Sequence, residues 1–387
     1  MAVCGVIAEY DPFHRGHEGH LRAAREKTGA DHVVCLISGS FTQRGMPALL
    51  PAHVRAEMAL RCGADAVLQL PYSFSVREAE YFALGGVFIL TALGCVTHLS
   101  FGCEADALPY LDEAALLLEA PDGALNAAIQ AGLSKGLSHA AAVGAALEKR
   151  LHLPPRALDK PNAALALSYL RAIRRLRSPL IPAPIKRDGD YRAKELSSAP
   201  SASALRGAIL RGDWAGVRAA VPENALPVLE RALLNGEICP PAAFDPLIRR
   251  ALLTMTPKEA SALPGVSEGL ESRLLKAAQS GATREDMIAS VKTRRYTYGR
   301  VSRCLCHAAL GVTKSDLSPL PDCARILGFR ESARPLLRKM QKSGFPLYSR
   351  PARTADAALD IRADELWRIG AGLPRGETYR RSPVILP

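Results

Sequence analysis

The feature that most constrains this chain is its opening. Residues 2–9 are almost wholly apolar, and the run breaks into Tyr10-Asp11-Pro12-Phe13-His14-Arg15-Gly16-His17 before a helix pattern runs from about Gly16 to Lys27. Such a run, followed by a loop and a helix, reads as a central strand of a parallel sheet, buried on both faces. A strand–loop–helix unit delivers backbone N–H groups and the positive end of a helix to one point, which suits a phosphate. Gly16 lets a ligand approach the backbone closely. The imidazoles of His14 and His17 flank that glycine and can donate hydrogen bonds to phosphate oxygens. Phosphoryl and nucleotidyl transfer ask little covalent chemistry of a protein, and positioning and charge stabilisation do most of the catalysis. A metal cluster is the competing reading of His14, His17 and His20. No carboxylate or cysteine lies close in sequence to complete it, and the three rings do not share one helical face, so no metal ligands are assigned.

The same alternation continues. Residues 32–38, 66–70 and 96–101 read as further buried strands, and helix patterns cover about 52–62 and 77–93. Residues 108–176 read as mostly helical, 179–186 as a late strand, and 203–211 as the opening of another helix. Strands alternating with helices imply an α/β fold with a doubly wound parallel sheet. After about residue 222 the strand signal fades. Short amphipathic helix patterns, punctuated by Pro and Gly, fill 223–345, and Trp367 sits in a helix-like stretch. The expected organisation is an α/β domain over 1–222 followed by a mainly α-helical domain over 223–387.

Charge separates the two parts. From Lys292 to Arg350 there are 13 Lys or Arg against 3 Asp or Glu, a local +10 of the chain's net +12. A concentrated basic region suggests a polyanionic partner, nucleic acid before membrane. No apolar run reaches the roughly 20 residues of a membrane helix. The N-terminus lacks a basic segment ahead of its apolar stretch, which Glu9 interrupts, so a cytoplasmic protein is expected. The nine cysteines are widely scattered, with no Cys-x-x-Cys pair, and read as small buried hydrophobes in a reducing compartment.

His14-Arg15-Gly16-His17 after a first strand resembles the nucleotidyltransferase superfamily with the His-x-Gly-His signature. The wider run Val6 to His17 is similar to the opening of the bacterial tRNA(Met) cytidine acetate ligase family. Further blocks resemble the same family: Ser38 to Ala48, Gly63 to Pro71, Leu99 to Glu104, Pro161-Asn162, Ile185 to Arg187, Ser201 to Arg206, Lys292 to Thr297 and Arg325 to Phe329. The resemblance covers most of the chain and fades over 355–387. The sequence departs from the family pattern at Asp11 and Ser40, where Asn is commoner, at Cys103, where Ser is commoner, and at Ala202 and Ala204, which replace polar residues.

The resemblance implies a Rossmann-like nucleotidyltransferase domain and an enzyme with two activities. It activates acetate with ATP as acetyl-adenylate, releasing pyrophosphate, and then acetylates N4 of the wobble cytidine of elongator tRNA(Met). It implies nucleotide contacts from Ile7, Ala8, Glu9, Tyr10, Phe13, His14, Gly16, His17 and His20, with Gly102, Asn162 and Arg187. The Ser201 to Arg206 block resembles a second phosphate signature and adds Ser203 and Arg206. His14 and His17 are the expected catalytic pair, and Mg²⁺ is expected to accompany the ATP. Asn162 reads equally as a helix N-cap. Lys292, Arg294, Arg295, Arg300 and Arg303 are the expected tRNA-binding residues, with Arg300, Arg303 and His307 at helical spacing opposite an apolar stripe. A solvated helix face carries the same pattern. Two other functions compete: a cofactor adenylyltransferase acting on a small phosphorylated substrate, and a non-catalytic RNA-binding protein. The basic helical half argues against the first, and the intact histidine motif against the second.

Overall fold

The fold is that of a computed structural model, which describes residues 1–387 apart from 105–106, 155–156, 159, 188–200, 268, 351–352 and 377–379. Eight strands form one sheet: β1 (Val3–Ala8), β2 (His32–Ser38), β3 (Ala66–Leu70), β4 (His98–Glu104), β5 (Ile181–Arg187), β6 (Ala324–Arg330), β7 (Leu347–Tyr348) and β8 (Val384–Leu386). Their order is β5-β4-β1-β2-β3-β6-β7, with β8 also paired to β6. The first five strands are mutually parallel, as the sequence predicts. Along β1 and β2 successive side chains enter different cores. Val3, Ile7, Val34 and Leu36 join one cluster, while Cys4, Val6, Val33, Cys35 and Ile37 join the other. With both faces covered, the strands need apolar residues at every position, hence their unbroken apolar runs. Helices α1 (Arg15–Thr28) and α2 (Ala52–Arg61) pack on the second face, and α3 (Tyr72–Ser75) and α4 (Ala79–Ala92) on the first.

The region after residue 222 is mainly helical but not strandless. β6 pairs antiparallel with β3, and β7 and β8 share its outer edge, one near each end. The late strands escape sequence reading because β6 is a short apolar run with arginines near both ends. A run of that kind cannot be told from a buried helix turn by periodicity.

A third cluster belongs to the helical region, and three residues of the first half, Phe41, Tyr72 and Val76, are part of it. The final long helix, Ala355–Gly370, fastens this region to the sheet. Its Asp356, Asp360 and Asp364, one turn apart, accept from Ser73 Oγ, Tyr72 N at 2.8 Å and Ser40 Oγ at 2.5 Å. Trp367, 1% exposed, donates through Nε1 to the Ala48 carbonyl at 2.6 Å. Ser40 is therefore a tether here, and the stretch around Trp367 anchors the loop that follows β2.

Candidate active site

Strand β1 is flanked by β2 on one side and β4 on the other, so the connections after β1 and β4 leave in opposite directions. Open α/β sheets bind ligands in the crevice that opens at such a point, beyond the carboxyl ends of the strands. The histidine motif lies there. After Ala8 the chain turns through Tyr10, at φ 51°, and a cis Asp11–Pro12 bond. His14 then caps α1. Its Nδ1 accepts from Gly16 N at 3.1 Å, while His17 Nδ1 accepts from His14 N at 3.3 Å, a reciprocal capping box made of two histidines. The rings stack with centroids 3.7 Å apart. Tyr10 and Phe13 pack edge-on or tilted against His17 at 4.9 and 5.5 Å.

This geometry decides the tautomers. An Nδ1 that accepts a backbone proton leaves the ring proton on Nε2. Both imidazoles are thus set to donate through Nε2, beside the positive end of a 14-residue helix. Gly16 is required by contact. A Cβ there would stand 2.9 Å from His14 Cε1. Gly16→Ala is expected to displace the His14 ring, raising the KM for ATP at least several-fold with little change in the thermal midpoint. Steady-state kinetics paired with a melting curve check this.

Several other expected residues converge on the crevice. His20 Nε2 lies 3.0 Å from Ser100 Oγ, joining α1 to β4. Pairing of β1 with β4 ends at Val6–Ser100, so Gly102 lies two residues further along β4, where the strands part. The Asn162 amide donates to Glu104 Oε1 at 2.8 Å. Lys160, not Asn162, is the N-cap of the helix Pro161–Arg175, which removes the capping alternative. The Arg187 backbone pairs with Glu104, while its side chain lies outside the described residues. Arg206 arrives from the helix Ala202–Arg211 and donates to the Asp11 carbonyl at 2.6 Å and to its Oδ2 at 3.2 Å. Asp11 Oδ1 accepts from Leu49 N at 2.6 Å. The unusual aspartate is thus occupied by an amide and a guanidinium. Ser201 caps the Arg206 helix and Ser203 is exposed on its first turn. Ala204 is buried, so an apolar residue suits that position. Ile7 and Phe13 are also buried, Phe13 completely, and serve the sheet's cores.

One residue beneath the site carries no mark in the sequence motifs. Arg55, on α2, is fully buried. It donates through Nε to Leu50 O at 3.0 Å, through one terminal nitrogen to Glu9 O at 2.5 Å, and through the other to Gly39 O. Burial pushes its pKa down, and Asp11, Glu9 and Asp364 oppose that shift. Glu9 itself accepts from Gln43 N at 2.6 Å, and burial raises its carboxyl above the usual range. Arg55 and Glu9 therefore join the loops after β1 and β2. The available signal is an arginine in the middle of a helix that is buried nearly all round, unlike Arg61 at its end.

The basic segment divides. Lys292, Arg294 and Arg295 are exposed. Arg300 turns inward, donating to Gly265 O at 2.8 Å and Ser267 Oγ at 2.7 Å, and Arg303 pairs with Glu78 at 3.3 Å. His307 lines the same face as Arg300 and Arg303 but is not an exposed cation. It is buried against the Tyr72 hydroxyl at 2.9 Å, and burial lowers its pKa to about 3. Tyr296 is buried as well, between Arg273 and Arg300.

Comparison with known proteins agrees with this geometry. The model of the HIGH nucleotidyl transferase family matches residues 1–378. The tRNA(Met) cytidine acetate ligase of Acetivibrio thermocellus is 37% identical over 90% of this chain and 88% of its own. That of Syntrophomonas wolfei is 33% identical over 92% and 89%. The crystal structure of apo Thermotoga maritima TmcAL superposes over 100% of both chains with a TM-score of 0.93 at 28% identity. The same protein bound with alpha-thio ATP gives 0.89 at 29%, again over 100% of both chains. On the family match, the identities and the shared fold, the chain belongs to the HIGH nucleotidyl transferases and, within them, to the tRNA(Met) cytidine acetate ligase family.

Proposed function

We propose that this chain uses ATP to activate acetate and passes the acetyl group to N4 of the wobble cytidine of elongator tRNA(Met). The observation that carries the reading is the double-histidine cap at the crevice beyond β1, with two imidazoles stacked at the N-terminus of α1; a neighbour of the same fold is described as bound with alpha-thio ATP. The relatives are named for tRNA(Met), cytidine and acetate.

In the first step an acetate oxygen attacks the α-phosphorus of ATP, the bond to the β-phosphate bridging oxygen breaks, and pyrophosphate leaves. His14 and His17 donate from Nε2 to the oxygens of the α-phosphate as charge builds there, joined by the N-terminus of α1. Arg206, steadied on Asp11, offers further donors to the departing phosphates. Glu104 orients the Asn162 amide towards the nucleotide near Gly102. In the second step the cytidine N4 amine attacks the acetyl carbonyl, the mixed-anhydride C–O bond breaks, AMP leaves and N4 loses a proton. The base must be unstacked to reach the adenylate, as a single-stranded anticodon loop permits. Among the described residues no three His, Cys, Asp or Glu side chains gather around a metal position. Mg²⁺ accompanying the ATP would neutralise charge on its phosphates as pyrophosphate leaves.

The division of labour follows the charge. The segment 1–222 holds the nucleotide chemistry and 223–387 offers RNA contacts, in the cytoplasm where its tRNA resides. Among the described residues no helix is long and apolar enough to cross a membrane. Acetate-dependent exchange of labelled pyrophosphate into ATP, measured without tRNA, tests the first step. Exchange that needs acetate supports it, and exchange that needs a phosphorylated small molecule instead points to a cofactor adenylyltransferase. A protein with Arg294→Glu and Arg295→Glu is expected to bind tRNA at least tenfold more weakly at moderate salt with this exchange unchanged. Filter binding checks it, and an unmoved affinity removes that strip from the RNA surface.

A further inference from the structure

Away from His14 and His17 the described residues line an open cavity of about 520 Å³. Arg77, Arg175, Arg300, Arg303 and Lys314 line it, with Glu78 as the only acidic side chain among the described residues of the lining. These cations come from four separate parts of the chain: the approach to α4, the end of the helix Pro161–Arg175, the helix Tyr298–Leu310, and the turn after it. Like charges held around one space repel one another, and the repulsion grows as water is excluded. Glu78 meets Arg303 at 3.3 Å and Glu80 meets Arg175 at 2.6 Å. The other three rest on neutral groups. Arg300 holds Gly265 O and Ser267 Oγ, Lys314 holds Ser261 O and Val266 O at 2.8 and 2.9 Å, and the Arg77 guanidinium lies 3.4 Å above the Tyr81 ring. His307 also faces the cavity and, neutral through burial, adds no charge. The result is a fixed, net-positive cavity rather than a fringe of mobile surface lysines.

Its position adds a second argument. Arg300 stacks 5.3 Å from Tyr296, the residue following the exposed Arg294-Arg295 pair. On the other side, the Arg303 backbone lies against Gly45, at φ 69°, where a Cβ would stand 2.7 Å from Arg303 Cα. Two residues before Gly45, the Gln43 amide donates to Glu9 in the nucleotide motif. The cavity thus lies between the exposed basic strip and the adenylation site, joined to each by direct contacts.

We propose that this cavity holds the sugar-phosphate backbone of the tRNA, its five cations contacting consecutive phosphates while the Ser38–Ala48 loop leads the adjoining base towards the adenylate. The proposal rests on the tRNA reading above and adds the surface on which the RNA lies. Arginines held in place by hydrogen bonds, ion pairs and, for Arg77 and Arg300, tyrosine rings suit a chain of phosphates with bases beside it.

The test is the full-length protein carrying R77Q and R175Q together, neither of which belongs to the nucleotide site. Its affinity for tRNA(Met) transcript is measured across a potassium chloride series, alongside acetate-dependent pyrophosphate exchange without RNA. The expected result is at least tenfold weaker binding at moderate salt, and a salt dependence shallower by about 1.4 to 1.8 in log–log slope for two lost phosphate contacts. Exchange stays at the wild-type rate. R175Q alone, at a side chain 47% exposed, is expected to give about half the slope change at an unaltered thermal midpoint, which separates lost contact from misfolding. Unchanged affinity and slope overturn the proposal, as does a raised KM for ATP with tRNA binding intact, which would assign the cavity to the nucleotide or to pyrophosphate. A wild-type protein that binds no tRNA at all removes the parent reading as well, a result distinct from failure of the groove alone.

Discussion

Replacing His17 by alanine is expected to lower the kcat of acetate-dependent pyrophosphate exchange by roughly 10²–10³-fold, the effect of removing one preorganised donor from developing transition-state charge. The geometry adds a second loss. His17 Nδ1 accepts the His14 amide at 3.3 Å, and its ring stacks on His14 at 3.7 Å. Alanine removes the donor, half the capping box and the stacking support of the other histidine together. The cap alone is worth about 1 kcal/mol, too little to unfold the protein. The loss should therefore fall on kcat, with the thermal midpoint lowered by a few degrees at most. Exchange kinetics with ATP titrated to saturation check this, and a rate within threefold of wild type removes His17 from the chemistry. His14→Ala is expected to behave similarly, because it removes the other donor and the ring on which His17 stacks. The double variant should cost less than the product of the singles, since residues acting as a unit are not additive.

Arg55→Met is expected to be the most damaging substitution outside the motif. The three carbonyls it leaves behind, of Glu9, Gly39 and Leu50, lose their guanidinium donors in a buried setting. Each buried acceptor without a partner costs about 1–3 kcal/mol, partly offset by relief from burying the charge, so a net loss of roughly 3–5 kcal/mol follows. Those carbonyls belong to the loops after β1 and β2, so the KM for ATP should rise even where the protein remains folded. Arg55→Lys, with a single charged nitrogen at the end of a shorter reach, is expected to recover part of the stability but not the KM. Urea unfolding and ATP titration of the two variants check these outcomes. A loss under about 1 kcal/mol in Arg55→Met would show that the carbonyls find other donors.

These two residues also mark where the sequence is readable. His14, Gly16 and His17 are legible because their work is local: four consecutive residues cap a helix directly after a strand. Strands β1 to β3 are legible for a related reason. Burial on both faces demands apolar residues, and the chain shows it as nearly uninterrupted runs, while β4 and the edge strand β5 are legible from the strand–helix alternation. Arg55 is not legible, because its function depends on three carbonyls from two loops that only the tertiary fold brings together. Strands β6 to β8 fail for the same reason. β7 has two residues and β8 three, and their pairing is set by the edge of β6 rather than by any pattern of their own. The basic segment is an intermediate case. Its charge and helical spacing are plain in the sequence, but the spacing does not reveal that Arg300 and Arg303 turn into a cavity, or that His307 is buried on Tyr72. Asp11 shows the converse. An aspartate near a triphosphate looks unfavourable until its two oxygens are found on the Leu49 amide and on Arg206.

The full-length protein is incubated with ATP, acetate and tRNA(Met), the nucleotides are quantified, and the tRNA is digested to nucleosides. The predicted result is AMP and pyrophosphate formed only with acetate present, and N4-acetylcytidine appearing in proportion to the AMP released in the presence of tRNA. ATP consumption that ignores acetate, with no acetylated nucleoside, would contradict the account.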